Sequence, residues 1–205
     1  ATGSKWRVDG VARQHVLPIP TDSKMSLFTP DDIMNNKLPN GKVVIYDDDH
    51  YYMGGVIAEL LILKGCEVTL ITPSAYVSEW SKNTLEQGEI QKRLIEMGVN
   101  ILLNKGIASI HSNHVKTNCI YTQKIDDLEV EAVVIVASRK ANDQLFEDLK
   151  LQKEKWKDAG INSIKIIGDA NAPGPIAWAT YAGHRYAREL DTEDIGDKLP
   201  FRREI

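Results

Sequence analysis

The residues best suited to chemistry form an acidic turn, in which Asp47, Asp48, Asp49 and His50 follow a short apolar stretch. Carboxylates and imidazole are ordinary ligands of metal ions, so a metal site is one interpretation of this turn. Adjacent side chains in a turn seldom all point to one centre. We favour a second interpretation, in which one aspartate caps the following helix and the other carboxylates are solvated.

The same turn bears on nucleotide binding, because it joins a predicted strand to a predicted helix. A dinucleotide-binding turn uses glycines that let the backbone approach a pyrophosphate held at the helix N-terminus. Here the glycines come late, at Gly54 and Gly55, and carboxylates at the helix start would repel a diphosphate. The next strand ends at Thr72 and Pro73, without the acidic residue that grips an adenosine ribose. We therefore predict a retained scaffold that does not bind NAD(H).

Three other residues, His111, His114 and Cys119, are of types that bind zinc. A fourth ligand at suitable spacing is missing, so exposed hairpin histidines and a small core thiol are the favoured interpretation. No serine, cysteine or histidine has sequence neighbours that indicate a nucleophile paired with a base. We expect the tryptophans to serve in packing or docking rather than catalysis.

Asp169 is the best candidate for contact with a cofactor, because it follows a predicted buried strand at 164–167. A carboxylate in this place can accept hydrogen bonds from the hydroxyl groups of a nucleotide. A structural role, in which Asp169 caps the following segment, is an equal alternative.

Hydrophobic periodicity predicts the elements that position these residues. The first part, 1–40, is a turn-rich connector with one short helix that Thr29 caps and Pro30 begins. A strand-helix-strand unit follows, which favours a parallel sheet with a right-handed crossover. The remaining predicted elements are a helix at 83–97, a strand at 100–103, an antiparallel meander at 106–131 with turns at 112–113 and 126–127, a strand at 132–137, a helix at 143–157, a strand at 164–167 and a helix at 176–190. The predicted strand-helix-strand unit comprises 42–46, 53–64 and 67–72.

Composition excludes several classes of protein. The 205 residues carry 25 Lys and Arg against 29 Asp and Glu, a net charge of -4, without a basic cluster. Nucleic acid and acidic membrane surfaces are therefore not expected partners. Two separate cysteines suit a reducing cytoplasm, and no apolar run reaches the roughly 20 residues of a membrane helix. Because the chain starts at Ala1 without Met, we expect it to be a piece of a longer protein.

Three features resemble the flavoproteins that have two dinucleotide-binding domains, the fold of glutathione reductase. They are a strand-end turn at 1–3, a segment at 166–170 followed by a helix, and a complete nucleotide-domain pattern inserted between them. Three stretches of the sequence are similar to the family of trimethylamine, dimethylamine and histamine dehydrogenases. The sequences that carry this similarity are Ala1-Thr2-Gly3-Ser4-Lys5-Trp6 with Asp9-Gly10, Tyr46-Asp47-Asp48-Asp49-His50-Tyr51-Tyr52-Met53-Gly54-Gly55, and Asn83-Thr84-Leu85-Glu86.

The resemblance implies an α/β fold in two parts. One is a Rossmann-like inserted domain at 39–138, with a parallel sheet and a β-meander and a degenerate NAD(P)-binding turn. The other is an incomplete FAD/ADP-type nucleotide-binding domain formed by 1–38 and 139–205. The cofactor-binding residues that it implies are Thr2, Gly3, Gly168, Asp169 and Ala170.

The resemblance also implies a parent enzyme that oxidises a small amine and passes electrons to an electron-transferring flavoprotein. Its FMN and 4Fe-4S cluster would belong to an N-terminal barrel outside these residues, and ADP or FAD to the nucleotide domain. We expect a homo-oligomeric parent and an isolated chain without catalytic residues, metal or tightly bound cofactor. Two alternatives stay open: an NAD(P)H-dependent flavin reductase of the dienoyl-CoA or enoate type, and a non-catalytic module that docks an electron carrier.

Overall fold

A computed structural model describes residues 3–22 and 24–190. These residues form two compact units, one comprising 6–139 and the other 3–5 together with 140–190. The sequence had assigned 1–38 to the outer domain, whereas residues from Trp6 onward belong to the same unit as the inserted part. These residues belong there because strand β2 (Ser26–Phe28) extends the sheet of that unit. It pairs in parallel with the strand at 132–136.

The larger unit is built on a parallel sheet of five strands, which lie in the order β2, β9 (Ala132–Val136), β3 (Lys42–Asp47), β4 (Glu67–Ile71) and β5 (Asn100–Leu102). Ile45 in the central strand lies opposite Val134 on one side and Leu70 on the other. All five residues of β9 are buried, as predicted for a strand covered on both faces.

Alternate residues of β3 face two separate hydrophobic cores. Val43 and Ile45 pack with the helices α1 (Pro30–Met34), α2 (Met53–Leu63) and α3 (Gln87–Glu96), which lie on one face of the sheet. Val44 and Tyr46 pack on the other face with apolar residues of the meander. The fold class predicted from the sequence, a mixed α/β chain with a parallel sheet and a meander, is confirmed.

The meander consists of the antiparallel strands β6 (Lys105–Ile110), β7 (His114–Cys119) and β8 (Ile125–Glu129). The first turn of the meander lies where the sequence predicted it, at 112–113. The turn predicted at 126–127 was wrong. Asp126 and Asp127 lie within β8, opposite Thr117 and Lys116, and the chain reverses at 120–124. Asp126 pairs with Thr117 of β7, whose hydroxyl donates to the Asp126 carbonyl, and the Asp126 carboxylate makes an ion pair with Lys105 of β6.

Two further predictions were wrong. The helix predicted at 83–97 is interrupted, because Leu85 is in the left-handed region (φ 63°) between a 3₁₀ helix (Glu79–Thr84) and α3. The strand predicted at 164–167 has no pairing strand among the described residues, and the side chain of Ile167 is 39% exposed. An apolar run forms a strand only where a neighbour accepts its backbone hydrogen bonds.

The smaller unit contains α4 (Gln144–Leu151) and α5 (Ile176–Glu189), with 3₁₀ turns at Lys153–Lys155 and Gly168–Ala170. The helix predicted at 143–157 therefore ends early, and its last part is a 3₁₀ turn. Short strands β1 (Ser4–Trp6) and β10 (Arg139–Ala141) pair with each other.

Candidate functional site

Asp47 ends the central strand of the larger unit, and its side chain is completely buried. Its Oδ1 atom accepts hydrogen bonds from the backbone amides of Asp49, at 3.1 Å, and of His50, at 3.0 Å. These are the amides of the turn between β3 and α2. A carboxyl group of the protein itself therefore accepts from two backbone amides of this turn, and the Asp49 amide also donates to the carbonyl of Val136 at 3.2 Å.

The side chain of Asp47 also occupies the space beside Gly54, the second residue of α2. A Cβ atom added at Gly54 would lie 2.7 Å from Cγ and from Oδ2 of Asp47, so only glycine allows this approach. The Oδ2 atom is buried and has no hydrogen-bond partner within 3–22 and 24–190. Burial raises the pKa of Asp47 to about 7, against the lowering effect of the hydrogen bond from the His50 amide.

Asp48 is buried on the opposite side of the strand end and belongs to a series of hydrogen bonds. Its Oδ2 accepts from the backbone amide of Gln14 at 2.8 Å, and its Oδ1 lies 3.1 Å from Nε2 of His50. The other ring nitrogen of His50, Nδ1, lies 3.4 Å from Oγ1 of Thr72. Because Thr72 is fully buried, this carboxylate-imidazole-hydroxyl series positions the turn and does not present a nucleophile.

The sequence missed this series, since Thr72 lies 22 residues after His50. One signal was available, because parallel neighbouring strands end at the same edge of a sheet. The strand ends at Asp47 and Ile71 could have been placed together on that basis.

The capping interpretation of the acidic turn was wrong. The N-cap position of α2 is Tyr52, which makes no side-chain capping bond, and Asp47 and Asp48 are buried rather than solvated. The aspartate does not cap the helix because Asp47 accepts hydrogen bonds from backbone amides of the turn, which precedes the helix. Among the described residues, no group of three or more His, Cys, Asp or Glu side chains is placed to hold a metal ion.

Aromatic and cationic groups cover the same edge of the larger unit. The rings of Tyr51 and Trp80 stack with centroids 6.0 Å apart, and the Arg13 guanidinium lies 5.0 Å from the centroid of Trp80. Burial raises the pKa of Asp49, and the charges of Arg139 and Arg13 act in the opposite direction. The amide of Trp80 bonds to the carbonyl of His50, which ties this cover to the turn.

The predicted cofactor-binding residues that the structure describes lie together in the smaller unit. Gly3, Gly168, Asp169 and Ala170 line a pocket of about 600 Å³, together with apolar residues of α4. Asp169 accepts hydrogen bonds from Oγ of Ser4 and from the backbone amide of Gly174, each at 3.2 Å. These bonds favour a structural role and leave cofactor contact as a prediction. The fifth predicted residue, Thr2, lies outside the described residues.

The possible zinc ligands of the meander have other partners. The rings of His111 and His114 stack with centroids 4.5 Å apart, and both make hydrogen bonds within the hairpin of β6 and β7, His111 to Ser109 and His114 to Asn113. Hydrogen bonds that involve Thr122 lower the pKa of Cys119.

Comparison with known proteins gives a consistent set of relatives. Residues 28–140 match the family described as OYE-like second alpha/beta domain. Over its full length the chain is 31% identical to dimethylamine dehydrogenase from Hyphomicrobium sp. (strain x), of which it covers 30%.

Two solved structures are similar to nearly all of the chain. Histamine dehydrogenase from Rhizobium sp. 4-9 matches all of it with 61% identity and a TM-score of 0.96. The 6-hydroxypseudooxynicotine amine oxidase from Pseudomonas geniculata N1 matches 94% of it with 36% identity and a TM-score of 0.87. The chain spans 32% and 28% of these proteins, so it corresponds to about a third of each relative. Within the described residues, no helix is long and apolar enough to cross a membrane.

Proposed function

Because the chain belongs to the family of OYE-like second alpha/beta domains, we propose that it is the C-terminal nucleotide-domain part of a flavin-dependent amine dehydrogenase. The observation that carries the proposal is the match to part of histamine dehydrogenase, with 61% identity over the whole chain. The named relatives act on amines, and the reaction that follows is oxidation of a small amine with transfer of hydride or its equivalent to a flavin.

The chemistry would take place outside this chain. A 4Fe-4S cluster is held by four cysteine thiolates, whereas these 205 residues contain only two cysteines. The Cys66 thiol is buried and donates to the carbonyl of Pro39, which does not suit a cluster ligand. We assign the FMN and the cluster to the barrel domain of the parent, which also supplies the amine site.

The pocket beside Gly3 and Asp169 is the place for ADP or the ADP part of FAD. Its volume of about 600 Å³ lies in the usual range of small-ligand sites. Gly3 and Gly168 have φ angles of 64° and 63°, and without side chains they allow close approach of a ligand to the backbone. Thr2 and Ala170 complete the proposed contacts. Electrons then leave the parent, a cytoplasmic homo-oligomer, to an electron-transferring flavoprotein.

The acidic turn separates this proposal from the reductase alternative. An NAD(P)H-dependent reductase needs a turn that accepts a pyrophosphate, and here the turn amides bond to Asp47. No observation favours the alternative of a docking module without an enzymatic parent.

Anaerobic reduction of the parent protein tests the proposal. We expect small amines such as histamine or dimethylamine to bleach the flavin absorbance and NADH to leave it unchanged. Reduction by NADH, together with no reduction by a panel of amines, would establish the reductase instead.

A further inference from the structure

We propose that the carboxyl group of Asp47 occupies the position that the phosphates of a dinucleotide would take in the larger unit. By filling this site, the side chain excludes dinucleotides. The inference concerns residues 6–139 alone and does not depend on which substrate the parent oxidises.

The first argument is the hydrogen bonding of the turn. In a parallel α/β sheet a nucleotide binds outside the carboxyl ends of the strands, with its phosphates at the first turn between strand and helix. That turn here is 48–52. Its His50 amide donates to Oδ1 of Asp47, and its Asp49 amide is shared between Oδ1 of Asp47 and the carbonyl of Val136. A ligand phosphate could reach these amides only after the Asp47 side chain had moved.

The second argument is space. A dinucleotide-binding turn keeps a glycine where the backbone must approach the pyrophosphate. Gly54 is such a glycine, but the group beside it is the side chain of Asp47. A Cβ atom at position 54 would collide with the Cγ atom of Asp47. The space that the glycine provides is therefore already filled by a side chain.

The third argument is that the fit of this occupant is incomplete. The Oδ2 atom of Asp47 is fully buried and has no hydrogen-bond partner among the described residues. Such an atom normally costs stability, since buried polar atoms are almost always paired. Removal of the side chain would take away this unpaired atom and leave the His50 amide without its acceptor, so the vacated space should attract an anion.

Occupancy and charge repulsion are distinguished by variants of the full chain. Asp47→Gly removes the occupant, Asp47→Asn keeps its volume and the acceptor oxygen without charge, and Asp49→Gly removes a neighbouring carboxyl that does not lie against Gly54. The probes are inorganic pyrophosphate and NADH, measured by calorimetry and by the shift in unfolding temperature.

We expect Asp47→Gly to bind both probes with a dissociation constant at least tenfold lower than that of the unchanged chain. Asp47→Asn and Asp49→Gly should bind no better than the unchanged chain. Circular dichroism checks that each variant is folded, and Asp47→Ala replaces the glycine variant if that one does not fold.

Two results would overturn the inference. A folded Asp47→Gly or Asp47→Ala chain without any gain in binding would show that the place is not a latent phosphate site. Equal gains in Asp47→Asn and Asp47→Gly would show that charge, and not occupancy, excludes the ligand. Neither result would alter the proposed amine dehydrogenase function, which the anaerobic reduction tests separately.

Discussion

Ionisation of Asp47 should couple to stability, because the folded chain buries its side chain completely. Its pKa rises from the ordinary value of 3.8 to about 7 on folding. Between these values the folded chain holds a proton that the unfolded chain has released, so the free energy of unfolding falls as the pH rises. Above about pH 7 both states are ionised at this group and the effect levels off.

Comparison of the unchanged chain with Asp47→Asn tests this dependence. As the pH rises from 4 to 7, the free energy of unfolding of the unchanged chain should fall relative to that of Asp47→Asn. The fall should be up to about 1.4 kcal/mol per pH unit. Urea denaturation of both chains at several pH values measures it. Parallel pH profiles for the two proteins would contradict the assignment of a raised pKa to Asp47.

Because Gly54 has no side chain, helix α2 can begin close to the end of strand β3. Gly54→Ala should lower the free energy of unfolding by about 1–3 kcal/mol, since the new Cβ atom would collide with the Asp47 side chain. The matched control is Gly55→Ala, where the nearest heavy atoms are 3.5 Å away. That change should be neutral or stabilise by up to about 1 kcal/mol, because alanine favours a helix.

A double variant shows whether the collision itself is responsible. In a chain that already carries Asp47→Gly, the effect of Gly54→Ala should shrink to that of the Gly55→Ala control. Thermal unfolding of the four chains completes the cycle. An undiminished loss of stability would place the strain of Gly54→Ala elsewhere.

Leu85 is the point at which the predicted helix of 83–97 breaks, and its backbone is strained. It has a φ of 63° and its side chain is 91% exposed. A left-handed conformation costs an ordinary residue about 1–2 kcal/mol, whereas asparagine adopts it more readily. Leu85→Asn should therefore raise stability by about 1 kcal/mol, and a loss in urea denaturation would show that the leucine makes a contact that offsets the strain.

The elements that the sequence predicted well are those in which local pattern and tertiary contacts agree. The runs around Ile45 and Val134 are apolar and central in the sheet, so their burial and strand form followed from composition. The short helix at Pro30–Met34 was also predicted, because the Thr29 cap with Asp32 is a local signal and both bonds are present.

The predictions that failed depended on partners distant in sequence. The hydrophobic pattern of 83–97 contains nothing that reveals the left-handed backbone at Leu85. Asp126 lies in a strand because β8 pairs with β7, and its carboxylate also makes an ion pair with Lys105. The acidic turn was recognised as the informative site, but its side chains were expected to be solvated. Burial of Asp47 depends on Gly54, which the sequence had treated only as a late glycine in a nucleotide turn.

At the scale of the whole molecule, the pocket in the smaller unit bears on adenine nucleotide binding. We expect the isolated chain to bind ADP weakly or not at all, because most phosphate contacts should come from a glycine turn and helix N-terminus in the absent part of the parent. Calorimetry with ADP measures this, and the parent protein is the positive control. Micromolar binding by the isolated chain would show that Gly3, Gly168 and Asp169 suffice.

The two compact units should also differ in stability. Both hydrophobic cores of the described residues lie within 6–139, whereas α4 and α5 contain no buried residue. Trp178 and Ile176 of α5 are 64% and 83% exposed. Because local opening is easiest where little apolar surface is buried, the smaller unit should open well before the larger one.

Hydrogen exchange of the full chain tests this difference. Amides of β3, β4 and β9 should exchange only on global unfolding, whereas those of α4 and α5 should exchange at least tenfold faster. The chain covers about a third of its relatives, and in the proposed parent enzyme further domains would offer surface for the exposed apolar residues of α5. The same α5 amides should then be slower in the parent than in the isolated chain. Equal protection of α5 and β9 in the isolated chain would show that the smaller unit is stable without that surface.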